Sequence, residues 1–132
     1  MNLMRIQLRD ETDLVNCRQR ARQIAHMFQL DQLQQTQFAT AVSEIARNAL
    51  RFAAGGKVIF SLKNDAPLTL LVTVEDQGPG IADVESVIAT TQGMGLKGCY
   101  RLMDSCKIHS ELGLGTTVTL GKLLQAREPF SP

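Results

Sequence analysis

Four groups of residues in this sequence combine side-chain type and spacing in ways that can do chemistry. Glu44 and Asn48 lie four apart in the stretch Ser43-Glu44-Ile45-Ala46-Arg47-Asn48-Ala49-Leu50-Arg51-Phe52-Ala53. In a helix that spacing puts a carboxylate and an amide on one face, one turn from each other. Asp76-Gln77-Gly78-Pro79-Gly80 sets an acid ahead of two glycines that bracket a proline. Gly93-Met94-Gly95-Leu96-Lys97-Gly98 is a glycine-rich turn leading into a helical pattern that carries Arg101, and Gly115-Thr116 opens an apolar stretch.

A purine nucleotide with a metal-bound triphosphate needs contacts that these groups can supply. A carboxylate such as Asp76 accepts a hydrogen bond from the exocyclic amine of adenine, where guanine offers a carbonyl instead. Gly78 and Gly80 let backbone come close to a base because no Cβ intervenes. Gly93, Gly95, Leu96, Lys97 and Gly98 offer backbone N–H groups and a helix N-terminus to phosphates, and Lys97 and Arg101 add positive charge. The Asn48 carbonyl suits Mg²⁺, a hard cation that prefers oxygen. Glu44, beside it, is placed to take a proton from an attacking hydroxyl. Taken singly these signals are weak: Asp-x-Gly-x-Gly is often a turn, and Thr116 reads equally as a strand residue. The second glycine motif lacks the acid about 20 residues on that a dinucleotide fingerprint requires, and it lacks the Gly-Lys-Ser/Thr of a phosphate loop. Their order along one chain is what carries information.

The elements that must position these residues are legible from periodicity. Residues 3–9 alternate, with Met4, Ile6 and Leu8 on one face, and predict a short strand at a sheet edge or a homodimer contact. Asp10, Thr12 and Asp13 are N-cap candidates for a helix to about residue 29, with the seam Leu14, Cys17, Ala21, Ile24 and Phe28. Its outer face carries Arg18, Arg20 and Arg22, either a solvated face or a docking surface for an acidic partner. A second helix begins near residues 33–37 with the seam Phe38, Val42, Ile45, Ala49 and Phe52, and stops at Ala54-Gly55-Gly56. Strands follow at 57–63 and 68–75, joined as a hairpin by the turn cluster 64–67. After the glycine motifs and a helix at 96–103 come strands at 106–111 and 116–123. Helices and strands are segregated rather than alternating. The expected fold is therefore α+β, a two-layer sandwich with helices on one face of a mostly antiparallel mixed sheet.

The 132 residues suit one domain, here 1–124, followed by a flexible tail at 125–132. Hydrophobic residues at 44% and charged residues at 20% describe an ordinary globular chain, and a net charge of +1 gives no electrostatic case for nucleic acid. No apolar run approaches a membrane span, and the first ten residues lack a signal-peptide core, so the expected compartment is the cytoplasm. Three cysteines without Cys-x-x-Cys spacing, and only two histidines, argue for free thiols over a zinc site.

The ordered set of motifs resembles the GHKL (Bergerat-fold) ATP-binding family. Within it, the chain looks like the small stand-alone bacterial serine kinases of the anti-sigma and stressosome type, the RsbT-like switch kinases. Residues 43–53 resemble the family's N-box, Glu75-Asp76-Gln77-Gly78-Pro79-Gly80-Ile81 its G1 box, and Gly93 to Gly98 with Arg101-Leu102-Met103-Asp104 its G2 box. Gly115-Thr116-Thr117-Val118 resembles the final strand, and the likeness runs from about residue 9 to 122. The resemblance implies ATP and Mg²⁺ as cofactors, Asn48 as metal ligand, Glu44 as general base, Asp76 as reader of adenine, Gly95 to Gly98 as phosphate holders, and Thr116 near the base. It implies transfer of the γ-phosphate to a serine on a STAS-domain antagonist or scaffold, with a sigma factor or a PP2C-type phosphatase as further candidate partners. The alternative within the same family is a nucleotide-dependent regulatory binding protein with little or no turnover. One departure bears on that choice: residues 81–92 are shorter than the family's usual Ser/Thr- and Gly-rich lid.

Overall fold

The computed structural model describes residues 1–53, 55–64, 68–78 and 101–124, the side chain of Phe52 excepted. The elements are β1 (Asn2–Leu8), α1 (Glu11–Met27), α2 (Gln32–Ala53), β2 (Gly56–Lys63), β3 (Thr69–Glu75), β4 (Ser105–Glu111) and β5 (Gly115–Leu123). The expectations for the turn cluster, the 81–92 segment, most of the 96–103 helix and the 125–132 tail fall largely or wholly outside the described residues, as does the place of Phe52 in the seam.

Both helices start where short polar side chains satisfy the free N–H groups of the first turn. At α1 the extended residue Asp10 accepts from the Asp13 N–H at 3.1 Å, and the Asp13 carboxylate accepts from the Arg9 N–H at 2.8 Å. At α2 the arrangement is reciprocal: Asp31 Oδ1 accepts from the Gln34 N–H at 2.7 Å and Gln34 Oε1 from the Asp31 N–H at 3.1 Å. This capping box starts α2 at Gln32, ahead of the start near 33–37 that the apolar seam predicts. A seam marks where a helix is buried; the cap marks where it begins. Between the helices Gln29 has φ 65°, and the Leu30 N–H closes back on the Ala25 carbonyl at 3.1 Å.

The strands form one sheet in the order β1-β2-β3-β5-β4, and every neighbouring pair is antiparallel. The two-layer α+β sandwich is thus as expected, while the allowance for a mixed sheet is not needed among the described strands. β1 is an edge strand, and a register shift between Asn2 and Met4 interrupts its pairing with β2. α2 packs on β2, β3 and β5, and α1 packs on α2 and β1. Between the layers lie Phe38, Val42 and Ile45 of α2 against Val58, Phe60, Val72, Val74 and Leu120, all buried. The Phe38 and Phe60 rings are tilted by 56° with centroids 6.3 Å apart. Buried alanines on both helices (Ala21, Ala25, Ala39, Ala46 and Ala49) let the backbones approach closely.

Cys17 is fully buried where α1 faces this core. Burial, with a smaller push from Asp13, raises its thiol from 9.0 to about 12. The folded chain therefore keeps a proton that the unfolded chain releases above its own pKa, so stability falls as pH climbs through that window. At pH 8, iodoacetamide should modify Cys17 only after unfolding, as read by peptide mass spectrometry; modification of the folded protein would contradict the buried, protonated thiol. Gln29→Gly removes a side chain from a left-handed position and should raise stability by about 0.5–1 kcal/mol, measured as a shift in the urea midpoint.

Candidate functional site

Side chains alternate across a sheet, and strand register turns that alternation into rungs. One rung on the helix-facing side runs Ile6, Val58, Val74, Val118, Ile108. Two residues further along each strand, the same parity gives Leu8, Gly56, Asp76, Thr116, Ser110. This last rung turns polar on the β3, β5 and β4 side, at the end of the sheet where α2 hands over to β2.

Asp76 is held tightly in it. Its backbone N–H donates to the Thr116 carbonyl at 2.9 Å. Its Oδ1 accepts from the Gly78 N–H at 3.0 Å and from the Thr116 N–H at 3.1 Å. One carboxylate oxygen thus ties the loop after β3 to the start of β5, and among the described residues Oδ2 has no partner. A carboxylate fixed in this way offers a charged, oriented acceptor. Thr116 is buried, and its hydroxyl lies 2.9 Å from that of Ser110, which also donates to the Gly115 carbonyl at 3.2 Å.

Two glycines make room for the arrangement. A Cβ on Gly115 would sit 2.1 Å from the Asp76 carbonyl oxygen, and φ there is +120°. A Cβ on Gly56 would sit 2.1 Å from the Glu75 carbonyl oxygen and 3.2 Å from the Asp76 Cα. Backbone is the obstacle in both cases, so no side-chain rotation relieves it.

α2 supplies the second group. Its C-terminus closes with the Gly55 N–H on the Ala49 carbonyl at 3.0 Å, and Gly55 has φ +121°, so the glycine stop expected after Ala53 forms. Asn48 lies five residues before Ala53, about 7.5 Å along the axis from the end beside the polar rung. It is half-buried, and its amide makes no hydrogen bond among the described residues, so its carbonyl is available to a ligand. Glu44, one turn back, pairs with Arg47 at 2.5 Å, the i,i+3 pairing that helical spacing allows. Their side chains are 22% and 39% exposed, so the pair is worth at most about 1 kcal/mol and opens readily.

Of the residues with expected roles, Asp76, Gly78 and Thr116 are brought together by direct hydrogen bonds. Glu44 and Asn48 share one face of α2, and no hydrogen bond or ion pair joins them to the rung among the described residues. Gly80, Gly93, Gly95, Leu96, Lys97 and Gly98 lie outside the described residues. Ser110 and Gly56 belong to the rung without standing out in the sequence; the strand parity that runs Cys106, Ile108, Ser110 is the signal that finds the serine.

Comparison with known proteins bears on the family and the fold. The family model of the histidine kinase-like ATPase domain matches residues 7–122. A serine/threonine-protein kinase RsbT of Bacillus subtilis is 34% identical over 127 residues, covering 91% of this chain and 96% of that protein. An anti-sigma F factor of Halalkalibacterium halodurans is 34% identical over 101 residues, 67% of this chain and 69% of that protein. Among solved structures, the RsbU and RsbW domains of Rv1364c from Mycobacterium tuberculosis superpose with a TM-score of 0.68 at 22% identity over 92% of this chain. The histidine kinase domain of the blue-light activated kinase EL346 from Erythrobacter litoralis does so with 0.57 at 21% identity over 86%. The chain spans 32% and 60% of those two structures, and at such identities the likeness concerns the fold.

Gly115→Ala should destabilise the protein by more than about 1–2 kcal/mol, the strain of positive φ alone, and should shift the Asp76 and Thr116 amide resonances. Gly113→Ala is the control: φ there is +80°, but a Cβ meets nothing within 4 Å, so those resonances should stay in place.

Proposed function

This chain belongs to the histidine kinase-like ATPase domain family, and from that premise we propose a regulatory kinase that phosphorylates a serine on a STAS-domain antagonist or scaffold protein. Its enzymatic class is that of an ATP-dependent serine/threonine-protein kinase, in keeping with its RsbT relative. The relatives are a kinase and an anti-sigma factor, which supports work by partner switching with other regulatory proteins. No helix among the described residues is long and apolar enough to cross a membrane, and the cytoplasm is the compartment that the reading assumes.

The single observation that carries the site is Asp76: one oxygen committed to two backbone amides, the other available to the exocyclic amine of adenine. Gly78 and Gly80 would line the base, and Thr116 would close its edge. Gly93, Gly95, Leu96, Lys97 and Gly98 would hold the phosphates, a role supported by their sequence pattern. Asn48, whose amide oxygen has no hydrogen-bond partner among the described residues, fits a Mg²⁺ ligand, and the ion when bound would neutralise phosphate charge. Glu44 would leave Arg47 and take the proton from the substrate serine as its oxygen bonds to the γ-phosphorus. The bond from the γ-phosphorus to the bridging oxygen breaks, and ADP departs. Arg18 and Arg22 on α1 are exposed and suit an acidic partner surface, while Arg20 is half-buried and donates to Asn16 and Gln23.

Glu44→Ala should lower phosphotransfer to a STAS protein by about 10²-fold or more while leaving ATP affinity nearly unchanged. Normal transfer by that variant would remove Glu44 from the base role and favour a purely regulatory binding protein. Asp76→Asn places an NH₂ donor against the adenine amine and should weaken ATP binding by roughly ten- to a hundredfold. Unchanged affinity by calorimetry would refute the adenine contact.

A further inference from the structure

A base able to take a proton from a serine can equally take one from water, and a kinase whose base is open to solvent spends ATP on hydrolysis. Glu44 is half-buried with 22% of its side chain exposed, so water reaches it. Its Oε1 accepts from Arg47 Nη1 at 2.5 Å, a charge-assisted hydrogen bond within an ion pair. Neither side chain has another hydrogen bond or ion pair among the described residues. The direction of the Glu44 carboxylate is therefore set by Arg47 alone. The Arg47 side chain is itself 39% exposed and contributes nothing to the buried core, so its pairing with Glu44 is its one described contact of this kind.

We propose that Arg47 is a specificity-determining residue: by holding Glu44 in the resting bridge, it favours phosphate transfer to a protein serine over hydrolysis of ATP. This rests on the base role of Glu44 in the preceding subsection and adds the residue that restrains it. In the unwanted reaction a water oxygen bonds to the γ-phosphorus and its proton passes to Glu44. The bond from the γ-phosphorus to the bridging oxygen breaks, leaving ADP and inorganic phosphate. A water molecule must draw the carboxylate out of the bridge unaided. A serine on a docked protein is held against the same carboxylate, and contacts elsewhere on that protein offset the cost of opening the bridge. A half-exposed ion pair is weak, so the restraint is graded, worth up to about fivefold in rate.

The experiment measures phosphate release at saturating ATP without any partner protein, in the wild type, Arg47→Ala, Arg47→Lys, Glu44→Ala and the double variant Glu44→Ala/Arg47→Ala. Hydrolysis should rise about threefold to fivefold in Arg47→Ala and less in Arg47→Lys, which keeps a charge that can pair. The double variant should match Glu44→Ala, because without the base there is nothing to restrain. Raising the salt concentration should increase wild-type hydrolysis and leave Arg47→Ala nearly flat, since screening weakens the same bridge. In the nucleotide-free protein the ¹³C resonance of the Glu44 carboxylate should move on Arg47→Ala, a readout independent of turnover. Unchanged or slower hydrolysis in Arg47→Ala overturns the proposal, as does a Glu44 resonance that stays in place. If Glu44→Ala hydrolyses ATP as fast as the wild type, the base reading and this inference fall together. If Glu44→Ala is slow and Arg47→Ala is no faster than the wild type, only this inference falls.

Discussion

One oxygen of Asp76 holds the backbone of Gly78 and of Thr116 at once, and the geometry of the rung follows from it. The bond to Gly78 turns the chain sharply after β3; the bond to Thr116 fixes where β5 begins relative to β3. A hydrogen bond to an ionised carboxylate is roughly twice as strong as a neutral one, which suits a join between two chain segments 40 residues apart. The join also leaves the carboxylate oriented. An acceptor that is already held loses little entropy when a ligand donates to it, and that preorganisation is worth more than an extra contact on a mobile side chain.

Close backbone approach is the condition for this arrangement, and it explains why glycine occupies two positions whose spacing alone says little. Gly56 and Gly115 each face a carbonyl oxygen where a Cβ would intrude. The core beneath them is conventional: Phe38 and Phe60 in tilted contact, alternating valines and leucines on the sheet, alanines between the helices. Rigid packing there brings the end of α2 to the end of β3, because the helix passes directly through Gly55 and Gly56 into β2.

The two groups of the site differ in stiffness, and this bears on switching. Asp76, Thr116 and Ser110 are locked by several hydrogen bonds each, which makes this part of the rung rigid. Glu44 is instead paired with Arg47 in a half-exposed bridge of small energy. A resting pair of that kind keeps a carboxylate out of the way at little cost and yields when a substrate hydroxyl or a metal-bound phosphate competes for it. Under the proposed function the two properties are complementary: a fixed acceptor for the base and a carboxylate that engages only when the partner is present.

The seams of α1 and α2, the hairpin of β2 and β3 and the segregation of helices from strands follow from apolar periodicity, so the α+β sandwich was readable before any coordinates. Glu44, Asn48, Asp76, Gly78 and Thr116 stood out as candidates because residue type and chain order mark them, and the kinship with the histidine kinase-like ATPase family was readable from the same motifs. The start of α2 was displaced because its capping box lies outside the apolar seam. Strand parity through Cys106 and Ile108 puts Ser110 on the helix-facing side, but its place opposite Thr116 depends on the register of β4 and β5, which its own neighbourhood does not fix. The sequence by itself determined which chemical groups are present and which helix or strand carries each. Tertiary structure alone decided which oxygen of Asp76 is engaged and which glycines face a carbonyl, since both arise between strands that are brought together only when the sheet closes.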